Sequence, residues 1–334
     1  MVNQKKLEMA FRRYKNNYVD DIYYKDVKEK YTVSASKIKN IAECNSIEKD
    51  HILLINLNKI LSYQLSLWKN QVLMKEGKSI EHLKSMQVIT FYQCVIQNLY
   101  KNRYPKMMVE YSFREVIATL IHFTMYGWVK EENILFEFIV DHFGSRWMDA
   151  DNWNKHTWFL LEIYLQYRNK TIMGTNQNLH RTVREQFKEA ELEYSLIPED
   201  LDVYTEVLER WTTAPLEEIK ELIERMSSFH SILASELGES IEFGDYRYGF
   251  YPYEILFLIY VRQKRGLPVP QQFDDFLMNT PEAQMVIQDP EPYPEWDPLL
   301  RLIDNFYRKN YPEYIPNDHG ALFQGTENLG GEIE

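Results

Sequence analysis

The sequence predicts an all-α protein, a multi-helix bundle or helical array with little or no sheet. Three observations carry this expectation. Glycine is scarce, with 12 in 334 residues. That is too few for the turns and phosphate-binding loops of a doubly wound α/β enzyme or an all-β sandwich. Apolar residues recur at helical spacing along most of the chain, a pattern that fills about ten or more helices. No stretch alternates apolar and polar residues for long enough to build a sheet.

The elements follow in order. Leu7, Phe11 and Tyr14 predict a helix over Lys5–Asn17, with Asp20–Glu29 continuing it after a break and Ser34–Ile41 as a short third piece. Asp50–Lys75 carries a broad stripe from Ile52 to Val72, and Gly77 stops it. Ser79 is placed to cap Ser79–Lys101, which ends before Tyr104-Pro105. Ser112 and Glu115 have capping-box spacing ahead of Phe113–Tyr126, with Gly127 as terminator. Lys130–Phe143 and the aromatic Asp151–Tyr167 come next, and Met173–Leu179 is a polar linker. Arg181–Tyr194, Leu201–Thr212 and Pro215–Glu236 read as charged or amphipathic helices. Tyr253–Arg265 is a buried helix with Gly266 just past its end. Phe273–Leu277 is a turn, and five prolines from Pro281 to Pro298 make Thr280–Trp296 extended. Asp297–Lys309 is the last helix, and Ile315–Glu334 is expected to fray. The expected organisation is residues 1–172, residues 173–314 and a tail of 315–334, or one continuous domain.

Charge is distributed unevenly. The net charge is -12, yet residues 1–110 hold 19 Lys and Arg against 11 Asp and Glu, a balance of +8. The remaining residues carry −20. An acidic surface repels nucleic acid and anionic membrane and attracts basic proteins. The basic charges of the first third are interleaved with Asp20, Asp21, Asp26 and Glu29, which reads as a mixed solvated face rather than a nucleic-acid tract. No apolar run approaches a membrane span, and no apolar segment follows the N-terminal lysines, so neither a membrane anchor nor a secretory signal is expected. Cys44 and Cys94 are too few for a disulfide framework or a zinc site, which fits the cytoplasm.

The sequence holds no motif of a catalytic or cofactor site. Phosphate-binding glycine motifs, H-E-x-x-H and G-x-S-x-G are absent. No two of the eight histidines are spaced to ligate one metal from a single helix. No catalytic residue, metal or cofactor is therefore expected. His122 and His142 read as satisfied core histidines, and Cys94 as an inert buried thiol. Glu110, Glu115 and Glu162 lie on apolar helices and need partners, with Arg114 or Arg168 available.

Binding residues are expected on three segments. The acidic helix offers Glu217, Glu218, Glu221 and Glu224. The loop Glu239–Glu254 packs Tyr246, Tyr248 and Tyr251 beside Glu242 and Asp245, with Gly244 and Gly249 as pivots. Such aromatic loops with adjacent charge are typical of interaction hot spots. The proline-rich stretch adds Tyr293 and Trp296.

Phe250-Tyr-Pro-Tyr-Glu254-Ile-Leu-Phe-Leu-Ile, Arg265-Gly-Leu-Pro268 and Phe276-Leu-Met-Asn-Thr-Pro281 carry a resemblance. On these residues the C-terminal half is similar to the immunity proteins encoded beside secreted bacterial toxins, the helical family that guards against nuclease effectors of interbacterial competition. The resemblance implies stoichiometric occlusion of a cognate toxin protein, basic where it holds phosphate, and it carries over no site residues. Two other classes stay open. One is a helical regulatory or scaffold protein that binds a peptide or partner; the other is a helical-bundle enzyme with carboxylate chemistry, which a deep pocket with convergent acids would favour.

Overall fold

A computed structural model describes residues 2–19, 21–75, 77–103, 111–143, 148–149, 154–172, 182–192, 194–195, 197–239 and 241–324. Among them are thirteen α-helices, and the only pairing of strands is a two-residue parallel bridge between Tyr111–Ser112 and Met148–Asp149. The fold is all-α, as composition and periodicity predict.

Helix α1 is Gln4–Val19 and α2 is Asp21–Glu43. The expected gap between Glu29 and Ser34 is absent. Val27, Ser34, Ile38 and Ile41 are buried at unbroken helical spacing, while Thr32 and Val33 face solvent. A continuous inward stripe outweighs two β-branched residues of modest helix propensity. Helix α3 (Asp50–Lys69) runs on through a wider turn, Asn70–Met74. Helix α4 is Glu81–Arg103, and its Glu81 N–H donates to Ser79 Oγ at 3.3 Å. Ser112 caps α5 (Phe113–Met125) by accepting from Glu115 N at 3.4 Å. The reciprocal half of that capping box is not made, because the Glu115 carboxylate pairs with Arg247 at 2.8 Å instead. A complete capping box forms at Thr182 and Glu185, where α8 (Val183–Glu189) begins.

The remaining helices are α6 (Val129–His142), α7 (Lys155–Arg168), α9 (Val203–Arg210), α10 (Leu216–Ala234), α11 (Tyr253–Lys264), α12 (Pro298–Asn310) and α13 (Ile315–Asp318). Helix α3 lies between α2 and α4, α5 packs on α4, α6 and α7, and α12 crosses α2, α3 and α4. Helix α10 rests on α1, α9 and α11, and α11 also rests on α5 and α7. Buried side chains from Leu7 to Phe323 form one hydrophobic cluster. Among the described residues this cluster draws side chains from both 1–172 and 173–314. The expected linker Met173–Leu179 lies outside the described residues.

The tail departs from expectation as far as it is described. Leu322 and Phe323 are buried, Phe323 N donates to Glu131 Oε1 at 2.8 Å, and Trp296 Nε1 donates to the Phe323 carbonyl at 3.1 Å. An aromatic anchor with two hydrogen bonds outweighs the chain entropy of a terminal segment. Residues 325–334 lie outside the described part.

One ion pair is wholly inside. Lys69 Nζ of α3 pairs with Glu282, and both side chains are 0% exposed. Tyr14 OH of α1 donates to Glu282 Oε1 at 2.9 Å and lies 2.5 Å from Lys69 Nζ. The Trp68 ring is 3.7 Å from the same ammonium. Burial pulls the Lys69 pKa down, against the opposing pull of Glu282. Lys69→Met leaves the Glu282 carboxylate buried without a cation and is expected to cost about 3–5 kcal/mol. The double variant Lys69→Met/Glu282→Leu should recover most of the loss, read from urea midpoints at constant m value.

Candidate functional site

The acidic helix α10 is amphipathic in the expected sense. Ile219, Leu222, Ile223 and Met226 are buried, while Glu217, Glu221 and Glu224 are exposed. Glu218 is half-buried and tied inward: it accepts from Arg210 Nη2 at 2.8 Å and Thr213 Oγ1 at 2.7 Å. Those two hydrogen bonds hold its carboxyl below the usual carboxylate range. Arg210 also bonds Glu206 at 2.7 Å, and Arg225 pairs with the same Glu206. Glu221 and Glu224 have looser partners, Arg225 at 3.9 Å and Lys220 at 4.0 Å. Glu217 has no ion pair among the described residues. Exposed pairs of this kind contribute little and exchange readily. Together with exposed Glu209 on α9, Glu217, Glu221 and Glu224 are available to a partner.

The aromatic segment Glu239–Glu254 is not the exposed loop that its composition predicts. Glu242, Phe243, Tyr248, Phe250, Tyr251, Tyr253 and Glu254 are all buried. The physical reason is the site's polar furniture: each hydroxyl or carboxylate finds a partner inside, so the rings need not stay wet. Tyr251 OH meets His122 Nε2 at 3.1 Å, and Tyr248 OH accepts from Gln87 Nε2 at 3.3 Å. Tyr246 is half-buried with its ring stacked 6.4 Å from Tyr14, and its carbonyl accepts from Tyr18 OH. Asp245 pairs with Arg114 at 2.5 Å and accepts from Arg247 N and Tyr248 N. Burial pushes the Asp245 carboxyl up, but Arg114 and the backbone donors outweigh it and hold it low. Gly249 is required here because a Cβ would collide with the Asp245 carbonyl oxygen.

The proline-rich stretch is likewise packed down. Tyr293 OH donates to Glu131 Oε2 at 3.0 Å, its ring lies 4.9 Å from Trp128, and Trp296 is pinned by Phe323. Lys84 Nζ holds Glu291 at 3.3 Å and the Pro292 carbonyl at 2.7 Å. Tyr293 and Trp296 keep partial exposure, whereas Glu242, Tyr248 and Tyr251 offer nothing to a partner in this conformation.

Two polar arrangements are not predictable from spacing. The first is a buried cluster in which the Phe243 ring stacks on His230 at 3.5 Å and meets His156 at 4.4 Å. His230 Nδ1 meets Glu254 Oε1 at 2.8 Å, His156 Nδ1 lies 3.3 Å from Glu242 Oε2, and His156 Nε2 meets Tyr253 OH at 2.7 Å. Burial, reinforced by Arg114, drives the His156 pKa well down. Burial also raises the Glu242 carboxyl to about 8, so this pair is neutral near pH 7. The second is a cavity of 710 Å³ between α7, α8 and α9, walled by Trp158, Trp211, Glu162, Arg184 and Arg265. Glu162 accepts from Val183 N at 2.7 Å and has no cationic partner among the described residues. Burial pushes its carboxyl up to about 8. The arginines considered for it are taken, Arg114 by Asp245 and Arg168 by Glu132 at 2.5 Å. Glu110 lies outside the described residues.

The bland readings of the other titratable residues hold. His122 bonds the Ala118 carbonyl at 2.6 Å, and burial lowers its pKa to about 4. His142 bonds the Phe138 carbonyl at 2.7 Å and Asn98 Oδ1 at 3.0 Å. Burial raises the Cys94 thiol to about 12, out of reach of thiolate chemistry.

These shifts set a pH dependence with a definite sign. Carboxyls raised on folding, Glu162 and Glu242, add stability that is fully present below the ordinary carboxylate pKa and lost as pH rises through about 8. Histidines lowered on folding, His122 and His156, add stability present above the ordinary imidazole pKa and lost on acidification. Between about pH 6.5 and 8 only the carboxyl effect of these two sets is active. The urea midpoint should therefore fall across that interval, and Glu162→Gln and Glu242→Gln should each flatten the slope; an unchanged slope in both would remove these groups from the account.

Comparison of the chain with protein-family models, curated proteins and solved structures finds no match.

Proposed function

We propose that this protein is a cytoplasmic inhibitor that binds a cognate toxin protein and covers its active or substrate-binding surface, as an immunity protein does. The observation that carries the reading is the solvent-facing carboxylate row of α10, Glu217, Glu221 and Glu224. It belongs to the portion of the chain that carries −20, and its nearest cations are loosely engaged. A basic surface that holds phosphate is the natural complement, and such a pair associates fast by electrostatic steering. The row also presents charge from a rigid helix with a buried apolar face, so little order is lost on docking.

The deciding experiment is co-purification of the tagged chain from its native host with the product of the adjoining gene. A basic partner at equal stoichiometry upholds the reading. The triple variant Glu217→Lys/Glu221→Lys/Glu224→Lys should then slow association by about tenfold or more at low salt, with the wild-type rate itself falling as salt rises. Unchanged rates under both treatments would dispose of the electrostatic mechanism.

One observation favours a second reading, an enzyme with carboxylate chemistry. The α7–α9 cavity is large enough for a small ligand and holds Glu162 as a proton donor at neutral pH. Glu162→Gln separates the two readings, because it should leave partner capture unchanged and abolish any turnover that depends on the cavity.

A further inference from the structure

A second cavity, of 440 Å³, opens where the start of α1, the later turns of α10 and the turn at Asp274–Asn279 meet. Its polar walls are Gln4 of α1, Ser227, Ser228 and Ser231 of α10, and Asp274, Asp275 and Asn279, and no basic residue among the described ones lines it. Neither aspartate makes an ion pair among the described residues. Asp275 is held in place through Oδ1, which accepts from Ser227 Oγ at 2.5 Å and from Met278 N at 3.0 Å. Ser231 is only 4% exposed, lines the cavity, and its hydroxyl has no hydrogen-bond partner among the described residues. A hydroxyl on a 4%-exposed serine, open to the cavity and without a partner among the described residues, beside two carboxylates without an ion pair there, is a set of acceptors open to a donor.

We infer that this cavity receives a lysine or arginine side chain of the protein partner, an inference that rests on the inhibitor reading above. Glu217, Glu221, Glu224 and Ser228 follow one another at helical spacings of four, three and four, so they lie along one side of α10. The exposed carboxylate row thus leads to the mouth of the cavity. A basic surface laid on that row delivers a cationic side chain to Asp274 and Asp275. The apolar walls Leu7 and Phe276 suit its methylene stem, and the serine hydroxyls accept its remaining N–H groups. An anionic ligand meets two carboxylates there, and an apolar one strips water from them with no hydrogen bonds in return.

The test is calorimetric titration of the full chain with tetralysine amide, with the same peptide acetylated on every side chain, and with spermidine. Tetralysine should bind one to one and the acetylated peptide should not. Asp274→Asn/Asp275→Asn should weaken binding by about tenfold or more, and Ser231→Ala by a smaller factor. Asp274 is exposed, so Asp274→Asn alone serves if the double variant misfolds. Unchanged tetralysine affinity in the aspartate variants overturns the inference. So does spermidine that displaces tetralysine and binds more tightly, which would make the cavity a site for free polyamines. If a partner is captured whose affinity ignores Asp274 and Asp275, the cavity assignment fails while the inhibitor reading stands. If no partner is captured but tetralysine binds with these dependences, the inhibitor reading fails and the cavity remains a receptor for amines.

Discussion

The arrangement of the core depends on getting one ammonium and one carboxylate to the same point in the interior. Lys69 comes from α3, Glu282 from the segment after α11, and the tyrosine that bridges them, Tyr14, from α1. Either charge alone, fully buried, carries a desolvation penalty of several kcal/mol, so the native packing has to bring all three elements together at once. Around this point the Trp68 ring and Tyr14 of α1 close against the 246–250 segment. The consequence is that the N-terminal and C-terminal parts of the chain form one body despite their opposite charge.

The same closure decides what the surface is made of. The aromatic run from Phe243 to Tyr253 is drawn inside because the interior supplies partners for its polar atoms: histidines 122 and 156, Gln87 and Arg114. Once those rings are core, the exposed surface of the acidic half is set by charged helix faces. Helix α10 then serves two purposes. Its apolar side packs the molecule, and its outer side offers a row of carboxylates ending beside Ser228 and Ser231. In the proposed reading, fold and recognition are coupled through this one helix, because its buried apolar side and its exposed carboxylates share one backbone.

Helix existence was legible wherever the apolar stripe was long. The stripes of α3, α5, α10, α11 and α12 mark those helices, and local signals mark helix ends: Ser79 the start of α4, Ser112 and Gly127 the two ends of α5. The misjudged places have physical causes. Helix α2 was expected in two pieces, yet Thr32 and Val33 between them lie on the solvent side of an intact stripe. The tail looked loose because glycines gather at its end, yet Phe323 finds a pocket between Trp128, Tyr293 and Trp296. The candidate surface was half legible. Charge spacing put Glu217, Glu221 and Glu224 outside, whereas composition could not tell that Tyr248 and Tyr251 lie inside.

By itself the sequence determined the fold class, most helices and the polarity of α10, because those follow from propensity and from the period of apolar residues along the chain. It also marked Glu162 as a carboxylate in an apolar run. Only the tertiary structure decided which partners such groups receive: Glu115 with Arg247, Arg168 with Glu132, Glu162 with the backbone N–H of Val183. It likewise decided that His156 and His230 flank one phenyl ring, and where the two cavities open. These pairings join residues tens to more than a hundred positions apart. Burial and electrostatics act through space, and a periodic pattern along the chain carries no information about distance between its distant parts.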